Sequence, residues 1–189
     1  MANELSPDEE RDLIAKVTEP DAFRQLYRHY FPRVYAYVAH RVGRETDAED
    51  VTSGIFTKVV ENVRSFEYRG EGSFSAWLFR IAYNEVQQFY RNTQRTVADI
   101  PLQDAPMIRS ESQTPDEALQ AKEQYLRLQA MVETLSPRRR EVISLRFFGG
   151  LRNQEIAQVL DLDERSVASH LSRGLTDLQR KYGPKDVSA

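Results

Sequence analysis

The 189-residue sequence contains no cysteine. That absence excludes disulfides, thiolate nucleophiles and Cys-ligated zinc, and it fits a reducing compartment. Histidine is scarce too: His29, His40 and His170 are widely scattered. No metal-ligand cluster appears, so neither a metal nor any other cofactor is expected. No apolar run approaches the roughly 20 residues that span a bilayer, so membrane insertion is not expected. The opening MANELSPDEERDL is acidic and polar and reads as no signal peptide, which makes the cytoplasm the expected compartment. The glycine-containing stretch Gly70-Glu71-Gly72-Ser73 lacks the Lys-Ser/Thr ending of a phosphate loop, and an enzyme is the least expected reading. A basic excess is also missing: 26 Lys and Arg face 29 Asp and Glu, for a formal net charge of -3. Any contact with nucleic acid must therefore come from local basic surface.

Sustained two-residue alternation is absent as well, so no sheet is expected. What is present is helical spacing. Ser6 can cap a helix that has Pro7 at its first position and Glu9 at the capping-box position, running to about Val17. Residues 21–42 carry Phe23, Leu26, Tyr27, Tyr30, Phe31, Val34, Tyr35 and Val38 at helical spacing, with Pro32 expected to kink or split them. Gly43 ends that segment. A helix over 46–63 starts with Asp47, Glu49 and Asp50, where the helix dipole favours acids. Ser73 is expected to cap a long helix with Phe74, Trp77, Leu78, Ile81, Ala82, Val86 and Phe89 inward.

Periodicity vanishes from about Thr93 to Asp116, where Pro101, Pro106 and Pro115 fall among serines and acids. Such a stretch is too long for an ordinary loop in a compact domain and reads as an extended linker. Thr114-Pro115 and Ser136-Pro137 open two further helices. The expected fold is therefore all-α: two small helical domains, residues 1–95 and 118–182, joined by a linker over 96–117 and followed by a tail over 183–189.

Leu151 to Leu175 reads as two helices with a tight turn. Ile156, Ala157 and Leu160 face inward on the first helix. Asp161 stands at the turn, where a left-handed backbone is wanted and Gly is usual. Leu162 and Val167 plug the angle between the helices, and Asp163 is a natural cap for the second. Together these match a helix-turn-helix. The second helix would expose Arg165, Ser166, Ser169, His170 and Arg173, which suit base edges or phosphates. Each alone is equally at home on a solvated face, His170 included. Arg138, Arg139 and Arg140, being consecutive, cannot share one helical face; some are expected on phosphates or partner acids.

The long helix after Ser73 would present Arg80, Tyr83, Asn84, Gln87, Gln88, Tyr90, Arg91 and Arg95 outward. Aromatics interleaved with amides and arginines suit single-stranded DNA, with rings on bases and guanidinium groups on phosphates. The same pattern also fits an ordinary amphipathic helix.

Taken in order, DAEDVTSGIFTKV, GSFSAWLFRIAYN, LSPRRREVISLRFFGGL and NQEIAQVLDLDERSVASHLSRG resemble a bacterial RNA polymerase sigma factor of the extracytoplasmic-function (ECF) type. The resemblance covers residues 20–95 and 118–182, corresponding to the family's regions two and four. It implies a factor that binds core RNA polymerase, directs it to promoters and assists opening of the duplex. On the matching positions, it implies core docking through Asp47, Glu49, Asp50, Phe56 and Lys58. Minus-ten recognition would fall to Arg80, Tyr83, Asn84, Gln87, Gln88, Tyr90 and Arg91, with loop 66–72 holding a base turned out of the stack. Minus-thirty-five recognition would fall to Arg138, Arg165, Ser166, Ser169, His170 and Arg173. Core polymerase, promoter DNA and an anti-sigma factor are the implied partners. The sequence departs from the family pattern at Ser53-Gly54, where a Gln-Glu pair is common, at Gln88, where an acid is usual, and at Asp161. Gly54 weakens its helix by about 1 kcal/mol relative to Ala.

Two other readings compete. LSPRRREVISL is similar to the LuxR-type helix-turn-helix, which would make the chain a stand-alone regulator. The Ser53-Gly54 departure would suit a sigma-like decoy for an anti-sigma protein. The N-terminal half and the LRFFGG spacing favour the sigma reading over the first, and the full reading helix favours it over the second.

Overall fold

A computed structural model describes residues 5–93 and 115–182, leaving most of the expected linker and the tail outside the described residues. The described residues form helices α1 (Pro7–Ala15), α2 (Pro20–Val42), α3 (Glu45–Asn62), α4 (Ser73–Thr93), α5 (Pro115–Glu133), α6 (Pro137–Phe147), α7 (Asn153–Leu160) and α8 (Glu164–Tyr182), with a 3-10 turn at Val63–Ser65 and no strand. The chain is all-α, as its periodicity predicts.

Helices α1 to α4 build the first half around α2, whose Leu26, Tyr30, Val34, Tyr37 and Val38 are buried. The Ser6 capping box forms as expected, with Glu9 Oε2 accepting from Ser6 N at 2.9 Å. The α1 helix is then pinned from beneath, because buried Glu10 accepts a hydrogen bond from the Tyr30 hydroxyl. That proximity, after burial itself, pushes the Tyr30 phenol far above its ordinary range.

Two expectations are corrected. Pro32 neither splits nor ends its helix, and α2 runs through it. Proline removes one backbone donor, but Pro32 and Arg28, whose carbonyl loses that donor, are both solvent-exposed. Tyr30 and Val34 on the opposite side are buried and hold the helix together. Ser73 is the first residue of α4 rather than its cap. Its hydroxyl donates to the Gly70 carbonyl at 2.6 Å and accepts from Arg69 N at 3.2 Å, so it tightens the preceding loop.

Helices α5 to α8 form the second half, with α6, α7 and α8 packed on one another. The α7–α8 pair is the expected helix-turn-helix. Asp161 adopts φ 54° and ψ 55°, the left-handed conformation. It is the only positive-φ residue other than glycine among the described residues. Asp163 caps α8, accepting from Ser166 N at 2.8 Å. Val167 is fully buried and Leu162 half-buried, as the two plugs require.

The two halves do not stand apart. α4 packs along α7 and α2 meets α6, so Tyr37, Phe79, Val142 and Leu151 belong to one continuous apolar core. Nothing in the periodicity of either half announces this.

The left-handed turn sets a test. Asp161→Val is expected to lower the unfolding free energy by about 1–2 kcal/mol, since a β-branched residue resists φ near +54°. Asp161→Gly should stay within about 1 kcal/mol of the parent, its steric relief offset by greater unfolded-state entropy. Urea midpoints would check both, and a Val variant as stable as the parent would refute the left-handed turn.

Candidate nucleic-acid and protein interfaces

α3 places its residues in two classes. Glu49 and Asp50 are exposed and available to a partner. Asp47 is turned sideways into a bidentate pair with Arg44, at 2.6 and 2.7 Å. Lys58 reaches across to Glu85 of α4. Phe56 differs from what a docking residue requires: it is buried, with its ring 4.6 Å from Tyr27 and 6.0 Å from Phe31, centroid to centroid. It supports the helix from within. Nothing in the packing requires glycine at 54, since a Cβ there would meet only the Glu85 carboxylate, at 4.0 Å.

α4 likewise sorts the residues assigned to single-stranded DNA. Asn84, Gln88 and Arg91 are exposed along one side, linked by Arg91 Nη2 to Gln88 Oε1 at 2.6 Å and Gln88 Nε2 to Asn92 at 2.8 Å. Tyr83 and Gln87 are half-buried beside them. Tyr90 points the other way. Its hydroxyl donates to the Arg41 carbonyl, and the Arg41 guanidinium lies 5.4 Å from its ring centroid. A ring so engaged supports α4 on α2. Arg80 is exposed but donates to the Gln158 carbonyl of α7. Arg95 lies outside the described residues.

The helix-turn-helix presents Arg165 and Arg173, both exposed, on α8, with Ser169 and His170 half-buried between them. Ser166 is committed locally: both its amide and its hydroxyl donate to Asp163, at 2.8 and 2.7 Å. Those bonds hold Asp163 ionised, its carboxyl below the ordinary range. Of the three consecutive arginines, Arg139 is drawn to Asp177 of α8 and Arg140 to Glu133 of α5, while Arg138 is exposed at the start of α6.

The residues that sequence reasoning missed lie between the halves. Arg41 and Glu141 form an ion pair of 3.2 Å in which each side chain is only 7% exposed. Tyr37 donates to the same carboxylate at 2.5 Å. Burial works against the Arg41 charge, but Glu141, with Tyr90 and Tyr37, more than offsets it and drives the guanidinium pKa upward. Burial and Glu141 push the Tyr37 phenol up as well. Arg33 donates from Nε to the Gly149 carbonyl at 3.0 Å and from Nη2 to the Gly150 carbonyl at 3.2 Å. His40 is fully buried and stacked on Phe148, centroids 3.7 Å apart and 6° from parallel. Each of these is a polar residue in an apolar stripe, the one signal a sequence could have offered. Their partners in the other half lie 100 or more residues away, so the pairing itself was not legible.

Residues 26–96 match the family model described as Sigma-70 region 2, and residues 125–178 that described as Sigma-70, region 4. The chain is 30% identical over 166 residues to the ECF RNA polymerase sigma factor BldN of Streptomyces coelicolor, a match covering 88% of this chain. It spans 62% of the length of that protein and of the ECF sigma factor SigE of Mycolicibacterium smegmatis. With the ECF RNA polymerase sigma-E factor of Escherichia coli it shares 27% identity over 181 residues, covering 91% of this chain and 93% of that protein. Among solved structures, the fold is similar to CnrH in complex with the cytosolic domain of CnrY. There the TM-score is 0.70 at 24% identity, over 91% of this chain and 96% of that one.

The buried imidazole makes stability depend on acidity. His40 has its pKa lowered to about 3, by burial first and then by Arg41 and Arg140. Gln129 of α5 reaches its backbone carbonyl, not its ring. The fold thus favours the neutral ring, and its contribution is full above the ordinary value of 6.5 and is lost as pH falls below that. Between pH 7 and pH 5 the loss is expected to be on the order of 2 kcal/mol. Urea unfolding across that window should show it, and His40→Phe, which keeps a ring against Phe148, should flatten the slope.

Proposed function

Because the chain belongs to the sigma-70 family, in its extracytoplasmic-function branch, we propose that it binds core RNA polymerase, directs it to specific promoters and assists opening of the duplex. It works without catalysis of its own and in the cytoplasm. No helix among the described residues is long and apolar enough to cross a membrane, which is compatible with that place of action. The observation that carries the reading is the helix-turn-helix with a free reading edge, preceded by a helical half whose exposed faces are of opposite kinds. One face, on α3, is acidic; the other, on α4, carries arginine and amides.

The division of labour follows from those faces. Glu49 and Asp50 meet basic residues of the polymerase, where complementary charge speeds and orients encounter. Asp47 and Lys58 border them and Phe56 keeps α3 in place from inside. Asn84, Gln87, Gln88 and Arg91, with Tyr83 beside them, take the minus-ten element as a melted strand, and Arg80 joins them once released from Gln158. On α8, Arg165, Ser169, His170 and Arg173 face the minus-thirty-five element in the major groove, with Arg138 on phosphate. Ser166 serves the cap and contributes through it. Residues 96–117 connect the two readers through the polymerase. An anti-sigma factor is the proposed antagonist; the sigma factor RpoE of Bartonella quintana, similar in fold, was solved in complex with the anti-sigma factor NepR.

Run-off transcription with added core polymerase on a genomic DNA pool tests the reading and finds the promoter together. Failure to bind core, combined with tight binding of duplex by the protein alone, would overturn it in favour of a stand-alone regulator. Arg165→Ala or Arg173→Ala is expected to weaken minus-thirty-five recognition by about 1–3 kcal/mol if its guanidinium contacts a base. Tyr83→Ala and Arg91→Ala should reduce permanganate reactivity of promoter thymines while leaving duplex binding nearly intact.

A further inference from the structure

We propose that the cavity between α1 and the loop that follows the 3-10 turn holds one nucleotide of the melted strand, as a site separate from the surface assigned to α4. The proposal rests on the reading of α4 as the strand-binding helix. The loop sets the geometry. Phe66 has extended backbone, φ -72° and ψ 130°, and side chains along an extended segment alternate between opposite sides. Glu67, Arg69 and Glu71 accordingly line one cavity, of about 770 Å³, together with Arg80 of α4 and Asp161. Tyr68 turns the other way, into a cavity of about 530 Å³ that it shares with Arg64 and with Arg11 and Ile14 of α1. Phe66 alone borders both, so a strand running along α4 to the loop has only one ring to cross between them.

The two sides differ in charge. Glu67, Glu71 and Asp161 put carboxylates around the first cavity, and its Arg69 is paired with Glu67 at 3.3 Å. No carboxylate lines the second. Its Arg11 and Arg64 are exposed, and neither is in an ion pair among the described residues. The acids nearest in sequence are spent or turned aside. Glu9 serves the α1 cap, Glu10 accepts from Tyr30, and Asp8, Asp12 and Glu61 are exposed without lining the cavity. Two unpaired guanidinium groups at the rim suit a phosphodiester. The interior suits a base. The Arg11 guanidinium lies 5.9 Å from the Tyr68 ring centroid, so cation and ring form a stack to which a base adds a further layer. The floor is made by buried Ile14, Val17 and Val63. An apolar floor meets a base by its face and reads no donor or acceptor on its edge. The site therefore adds hold on the strand with little preference among the four bases. A free nucleotide has the same chemistry, but the shared Phe66 wall joins this cavity to the path of the strand.

The test uses the full chain assembled with core polymerase on a promoter fragment pre-opened by mismatches. Arg11→Gln combined with Arg64→Gln is expected to weaken binding of that fragment by about tenfold. The slope of log affinity against log salt should become shallower by about 1.4, or about 0.7 for each phosphate contact. Tyr68→Leu should weaken binding by about fivefold and leave the slope unchanged. Removing bases one at a time from the opened strand should reveal one position where Tyr68→Leu costs nothing further. The absence of cysteine supplies a variant that folds before it is challenged. Thr18→Cys, at an exposed position on the cavity wall, should bind as the parent does until it is alkylated with a bulky maleimide, and then as weakly as the double variant. Parent-like binding by the double variant and by alkylated Thr18→Cys would overturn the proposal. If free 5′-mononucleotides bind the chain, and the arginine changes abolish that binding without weakening the opened strand, the cavity serves a small nucleotide and the proposal falls. A parent chain that fails in run-off with core polymerase would instead defeat the sigma reading, and this proposal with it.

Discussion

Arg41 lies almost out of water between α2 and α6, against the Glu141 carboxylate that also accepts from Tyr37. A buried pair of this kind adds little net stability over well-packed apolar residues, yet removing one partner is costly, because the other charge is left stranded. Its consequence is selection among arrangements. Two small helical bundles with apolar faces could associate in several registers. Only one brings the guanidinium, the carboxylate and the phenol together, and that register also seats His40 on Phe148 and Phe79 beside Gly149. The placement of α7 over α4 follows from it.

Local chemistry was well written in the sequence. The Ser6 box, the left-handed Asp161, the Asp163 cap and the buried Val167 plug are each dictated by residues within a few positions of one another. Spacing can report such things. It failed wherever the deciding partner was distant. Pro32 looked like a breaker because the burial on its far side is not local. Tyr90 looked like a stacking platform because its alternative, the Arg41 carbonyl, lies 49 residues away. Phe56 looked like a docking residue because the family pattern places it on the docking helix without saying which way it faces.

The candidate surfaces show the same limit. Helical period alone placed Asn84, Gln88 and Arg91 on one side of α4, and that side is exposed. It could not tell that Arg80 faces a second helix or that Ser166 is used up by its own cap. The acidic total charge also finds its explanation in partition. Acids gather on α3 and around the turn, while exposed arginines stand on α2, α4, α6 and α8, so the chain offers partners of opposite charge separate places to sit.

The internal pairing of Arg139 with Asp177 and Arg140 with Glu133 changes what the run of three arginines can do on DNA. A basic group already neutralised within the protein displaces no counterion from the duplex. Of the three, Arg138 alone lies exposed on the surface of the second half. The dependence of duplex affinity on ionic strength should therefore be shallower than a count of basic residues suggests, each lost phosphate contact removing about 0.9 from the slope of log affinity against log salt. A reader built this way loses little of its discrimination when the surrounding salt fluctuates, because less of its hold on DNA comes from charge that ignores sequence.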